Sequence, residues 1–216
     1  MRVGAMRVLL APAAVAAGIG LLSCSTGSSG PGNGPADAGD DGAAAEFSID
    51  DRGDITLPGT PQGMDVDQQT AMAYVAWWNA SGPGGGLSVI DLKVGQIVAT
   101  VDLTGDASAV QPLDVGVNPT TSTVYVSTRT GLLLVDEKTN RVTGSLTTPA
   151  VPVALAVDPS LNRVYCYEQG TEGTVDVIDG ATNTRVTTVP TPGIAVPSWS
   201  LASGFLAVSS FKHHVW

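Results

Sequence analysis

The chain has 216 residues, 43% of them hydrophobic and 14% charged, with 20 acidic against 10 basic side chains and a formal net charge of −10. So acidic a balance argues against nucleic acid, whose binding rests on a basic surface, and against an anionic membrane surface as partner. Nine of the acids fall between Asp37 and Asp67, opposite only Arg52.

The first 23 residues read as an export leader. Arg2 and Arg7 make a basic start, and Val8 to Leu22 is almost wholly apolar. That run has the length of a signal h-region and is too short to span a bilayer as a helix. It ends at Leu21-Leu22-Ser23-Cys24, which resembles the bacterial lipobox. The resemblance implies cleavage before Cys24, acylation of Cys24 and an exported lipoprotein held at a membrane by that lipid (outer membrane, periplasm or cell surface). Each buried methylene contributes about 0.8 kcal/mol, so several acyl chains anchor firmly. The other reading is an ordinary signal peptide that happens to contain a cysteine. Without its leader the chain keeps eight basic and 20 acidic side chains, a net charge near −12. Residues 24–53, rich in Gly, Ser, Pro, Ala and Asp, hold little that can be buried, and are expected to form a flexible tether.

From residue 54 a block recurs. Pro112-Leu113-Asp114-Val115-Gly116-Val117-Asn118-Pro119 leads into Thr123-Val124-Tyr125-Val126, and Pro152-Val153-Ala154-Leu155-Ala156-Val157-Asp158-Pro159 leads into Arg163-Val164-Tyr165-Cys166. A looser copy opens at Pro61 and a shorter one at Pro197, giving units of about 61–111, 112–151, 152–196 and 197–216. An aspartate closes the third apolar run at 91, 136 and 179, steps of 45 and 43 residues; the tyrosine of the second run falls at 74, 125 and 165. The longer first step has a local cause in the Gly- and Pro-rich insertion Asn79 to Gly86. Each unit holds four short runs of Val, Ile, Thr and Tyr broken by turn residues; in the third they are about 153–157, 163–167, 174–178 and 184–189. Four tandem strands per unit at this period predict an all-β fold, a β-propeller of four-stranded antiparallel blades.

The sequence Val175-Asp176-Val177-Ile178-Asp179 followed by Ala181-Thr182-Asn183-Thr184-Arg185-Val186 resembles the YVTN-type β-propeller repeat. The likeness covers about residues 54–209, with Cys166 in place of a second valine and a looser third run at Leu134-Val135-Asp136. It implies a protein of the bacterial or archaeal surface. Three complete units and a truncated fourth are fewer than most propellers use, so an open partial propeller is expected. Such a molecule self-associates through bare blade faces unless Asp54 to Pro58, which resembles the end of a unit, closes a four-blade ring.

No catalytic constellation stands out, and no metal or cofactor is expected. His213 and His214 are adjacent on a short terminal run, where strand geometry would send them to opposite faces. Asp40 with Asp41 and Asp65 with Asp67 are the carboxylate pairs that resemble metal ligands, and each reads more simply as solvated or strand-ending. Arg52-Gly53-Asp54 matches an adhesive tripeptide only by letter. Trp77 and Trp78, beside the Gly-rich insertion, are the candidate ligand platform, against the alternative that they pack within the blades. Cys166 reads as a small buried hydrophobe without a disulfide partner. The chain reads as a non-enzymatic binding or scaffold module for protein or glycan; the alternatives are a propeller enzyme, lactonase-like or quinone-dependent dehydrogenase-like, and a surface-layer component. Convergence of Asp65, Asp114, Asp158 and Arg129 at the channel mouth would favour the enzyme.

Overall fold

Runs of β-branched and aromatic residues with alternating character fit a pleated, half-buried surface and form strands. The computed structural model describes residues 5–10, 50–79, 81, 84–103, 110–170, 172–192, 206–209 and 214–215, and all regular structure among them is strand. A first pair joins β1 (Ala5–Leu10) to β2 (Asp50–Thr56). The first blade is β3 (Thr60–Asp67), β4 (Met72–Trp78), β5 (Gly85–Asp91) and β6 (Gln96–Asp102). The second is β7 (Pro112–Asn118), β8 (Thr123–Thr128), β9 (Gly131–Asp136) and β10 (Arg141–Thr147). The third is β11 (Val151–Asp158), β12 (Arg163–Gln169), β13 (Gly173–Asp179) and β14 (Thr184–Thr191). A short hairpin of β15 (Val208–Ser209) and β16 (His214–Val215) follows. Each blade is an antiparallel meander with its strands in sequence order. Strands β3, β7 and β11 lie side by side at the inner edge, while β6, β10 and β14 form exposed outer edges. The molecule is a partial β-propeller.

The sequence landmarks have local physical causes. Asp67, Asn118 and Asp158 end the inner strands because each side chain caps the following turn, accepting the amides of Gln69 (2.8 Å), Thr120 (3.2 Å) and Ser160 (2.9 Å). The repeated Asp91, Asp136 and Asp179 do the same after the third strand, accepting from the amides of Lys93 (2.8 Å), Thr139 (2.8 Å) and Ala181 (2.9 Å). Bonds from the Thr139 side chain and the Thr182 amide hold Asp136 and Asp179, respectively, below the usual carboxylate range. The same third-to-fourth-strand turn needs a left-handed residue, supplied by Gly95 (φ 68°), Asn140 (φ 54°) and Asn183 (φ 53°). Bulges also recur. The register of each inner strand slips just after Pro61, Pro112 or Pro152, and that of each outer strand slips at Val98, Thr143 or Val186. An outer bulge twists an edge away from further pairing.

Strand alternation sends successive side chains to opposite blade faces, and stacking buries both. Between the first two blades Tyr74, Leu87 and Val89 pack on Val115, Val117 and Val124. Between the second and third, Tyr125, Leu132 and Leu134 meet Leu155, Val164 and Cys166. Each such side chain contributes roughly 1.5–3 kcal/mol when buried.

The expectation of bare terminal faces is corrected here. Ile55 and Leu57 cover the far face of the first blade, packing on Ala73, Val75 and Ile90, with Leu57 only 1% exposed. Leu206 packs on the far face of the third, against Val153, Tyr167 and Val175. The large exposed hydrophobics among the described residues, such as Val98, Val142 and Val186, lie instead on outer strands and turns. Part of the apolar surface that was expected to drive self-association is therefore covered, while Tyr165 and Val177 on the third blade's far face stay partly exposed.

At the N-terminal side, β1 falls inside the expected leader and pairs antiparallel with β2, from Ala5 opposite Thr56 to Leu10 opposite Asp50. Strand β2 starts at Asp50, four residues inside the expected tether. Cys24, Asp40, Asp41 and His213 lie outside the described residues.

Candidate functional site

The inner strands enclose a cleft of about 630 Å³, lined by Met64, Asp65, Asp114, Val115, Leu155, Ala156, Val157 and, from beyond the third blade, Leu206, Ala207 and Val208. Two of the four groups expected to converge at the channel do so. Asp65 sits opposite Tyr74 in its blade, and Asp114 opposite Ser127, so the two occupy levels two residues apart. Both make the same connection. Asp65 accepts the amide of its neighbour Val66 (2.8 Å) and, with its other oxygen, the amide of Val117 in the next blade (2.7 Å). Asp114 accepts from Val115 (2.9 Å) and from Leu155 of the third blade (2.8 Å). The carboxylates thus fasten each inner strand to its successor. Strand β11 carries alanine at both levels, Ala154 and Ala156. Burial raises both aspartates above the ordinary value, Asp114 to about 6, against the pull of the two amides on each.

The other two expected contributors are elsewhere. Asp158 caps its turn, and Arg129 sits in the β8–β9 hairpin, donating to Gln111. Asp67 caps the first turn, bonding Gln69 and Thr70, so Asp65 and Asp67 serve different partners rather than one metal. No group of three or more metal-ligating side chains occurs among the described residues. Trp77 donates its indole N–H to Ser88 (3.1 Å), and its ring fills the space that a Cβ on Gly86 or Gly59 would need. Trp78, next along the strand, turns to the other face. The two rings therefore do not form a joint platform. Cys166 is fully buried, and burial pushes its thiol well up.

A second set of polar groups lies between the blades, and sequence reasoning did not find it. Tyr125, fully buried, donates its hydroxyl to Asn183 in the outer turn of the third blade; burial pushes that phenol up to about 12. Tyr74 makes the matching bond to Glu137 of the second blade. Asn118 donates to Asn162 (2.7 Å), and Thr120 to the carbonyl of Pro159 (3.0 Å). The tyrosine period was visible in the sequence; the direction of Tyr74 and Tyr125, into the following blade, was not. Glu168 and Asp176, 1% and 2% exposed, form a buried acid pair on the third blade's face toward the second. Asp176 accepts from Arg185 (3.0 Å) and Thr188, and Glu168 accepts the Ala150 amide (3.0 Å) through one oxygen. Its other oxygen, Oε1, is buried without a hydrogen-bond partner. Burial, reinforced by the neighbouring Asp176 carboxyl, raises Glu168 to about 7. The signal for this pair was a charged residue inside the apolar run Val175-Asp176-Val177.

No protein-family model and no curated protein matches the chain. Solved propeller structures do. Hydrazine synthase of Kuenenia stuttgartiensis is similar with a TM-score of 0.57 and 18% identity, over 68% of this chain and 42% of that one. The WD40 repeats of RRP9 give 0.52 and 14%, over 62% and 39%. Sqt1 of Saccharomyces cerevisiae gives 0.52 and 15%, over 65% and 39%. The chain spans about two-fifths of the length of these structures. At such identities the likeness establishes the propeller fold.

Proposed function

We propose that the chain is a lipid-anchored, extracytoplasmic β-propeller that serves as a binding or scaffold module, taking a protein or glycan ligand at the central cleft. The observation that supports it most is how the cleft spends its polar groups. Asp65 and Asp114 each give both oxygens to backbone amides that join blades. Around them lie Met64, Val115, Leu155 and Leu206, an apolar concave surface of the kind that ligands fill. Filling the cleft tests the site. Ala156→Trp should lower affinity for a captured envelope protein or glycan by about tenfold or more, while the melting temperature stays within a few degrees. Unchanged affinity would place the ligand elsewhere.

The anchor is tested separately. Cys24→Ala should leave an exported chain that is no longer acylated and moves to the aqueous phase of a detergent separation, whereas the unaltered chain stays in the detergent phase. An aqueous unaltered chain would sink the lipoprotein reading.

A further inference from the structure

The junction between the second and third blades concentrates buried acid. Asp114 reaches from β7 to the Leu155 amide, and Glu168 reaches from β12 to the Ala150 amide, in the connection between the two blades. Both bonds thus fall on β11 and the segment that leads into it. Among the described residues, the charged and titratable groups facing it are Asp114 from β7, Tyr125 from β8, Cys166 and Glu168 from β12, Asp176 from β13 and Arg185 from β14, with Asp65 of β3 beyond Asp114. Among the described residues, four carboxyls thus share a single cation. Arg185 is spent on Asp176, and Glu168 Oε1 is left without any donor. A buried carboxylate oxygen lacking a donor is costly, whereas the same atom bearing a proton becomes a donor itself. The neighbouring Asp176 is the acceptor at hand.

We propose that the second-to-third-blade junction is a proton-operated joint: closed while Glu168 and Asp114 hold protons, loosened when both are ionised. The raised values of the two groups give the direction. Groups that are more basic in the closed junction than in water bind more protons when it is closed, so protons favour closure. Loosening with rising pH begins above the ordinary carboxylate range, near ~4, and is complete once pH passes about 7. Opening would release Leu155, which lines the cleft, and so couple ligand access to external pH.

Hydrogen exchange on the full chain reads the joint directly. The protection factors of the Ala150 and Leu155 amides should fall tenfold or more between about pH 5.5 and about pH 8, while amides within β4 and β5 stay level. Glu168→Gln, which carries a permanent donor and no charge, should remove a large part of the fall, and the double variant with Asp114→Asn should flatten it. Flat protection in the unaltered chain, or an undiminished fall in the double variant, would overturn the proposal. If Asp114→Asn fails to fold, Glu168→Gln decides together with a carboxyl ¹³C titration of the unaltered chain. A Glu168 midpoint below about pH 5 rejects the joint, and a midpoint near neutrality supports it.

Discussion

Gly63→Val should part the first blade from the second and lower stability by about 3–5 kcal/mol, read as a shift in the denaturant midpoint. Gly63 lies in the bulge of β3, close against β7. A Cβ there would sit 2.4 Å from Asp114 Oδ1, 2.5 Å from Asp114 Cα and 2.9 Å from the Val115 amide. Two of those atoms are backbone, so no rotamer change relieves the contact. Strand β7 would have to slide, carrying with it the Val117 amide that Asp65 holds. Gly144→Ala is the control. Its Cβ meets nothing within 4 Å on an exposed outer strand. That change should be neutral or stabilise by roughly 0.5 kcal/mol, because alanine loses less backbone entropy than glycine. Equal losses at both positions would show that the inner-strand approach has no special role.

Tyr125→Ala is expected to cost about 3–5 kcal/mol, and Tyr125→Phe about 1 kcal/mol. The ring is fully buried among Leu132, Leu134 and Leu155, so its removal leaves a cavity across two blades. The phenylalanine keeps that packing and gives up only the hydroxyl bond to Asn183. A double-mutant cycle with Asn183→Ala isolates the bond. A coupling energy near zero would mean that the tyrosine acts through its ring alone.

The blades were legible in the sequence because their signals are local. Alternation, β-branched runs and turn-capping aspartates at 91, 136 and 179 all act within a few residues. What escaped was whatever depends on the next blade. Asp65 and Asp67 alternate like partners in one site, yet one reaches a neighbouring strand and the other caps a turn. Asp114 was legible as a channel candidate, but not its bond to the Leu155 amide, and the burial of Glu168 beside Asp176 comes only from stacking. The terminal faces looked bare because their covers, Ile55 with Leu57 and Leu206, lie outside the complete repeats. Trp77 looked like a platform because only the pairing of β4 with β3 and β5 shows that Gly59 and Gly86 make room for its ring.

The latches between blades each span about one repeat of chain, from 39 residues (Thr120 to Pro159) through 41 (Asp114 to Leu155), 44 (Asn118 to Asn162), 52 (Asp65 to Val117) and 58 (Tyr125 to Asn183) to 63 (Tyr74 to Glu137). In none does a blade need anything further along than its successor. A polypeptide emerging N-terminus first from a ribosome or a translocation channel could therefore set each blade in place as soon as one more repeat had cleared the exit. Assembly would advance like a zipper rather than await the whole chain, and an apolar face would stay unprotected for no longer than it takes to deliver one repeat.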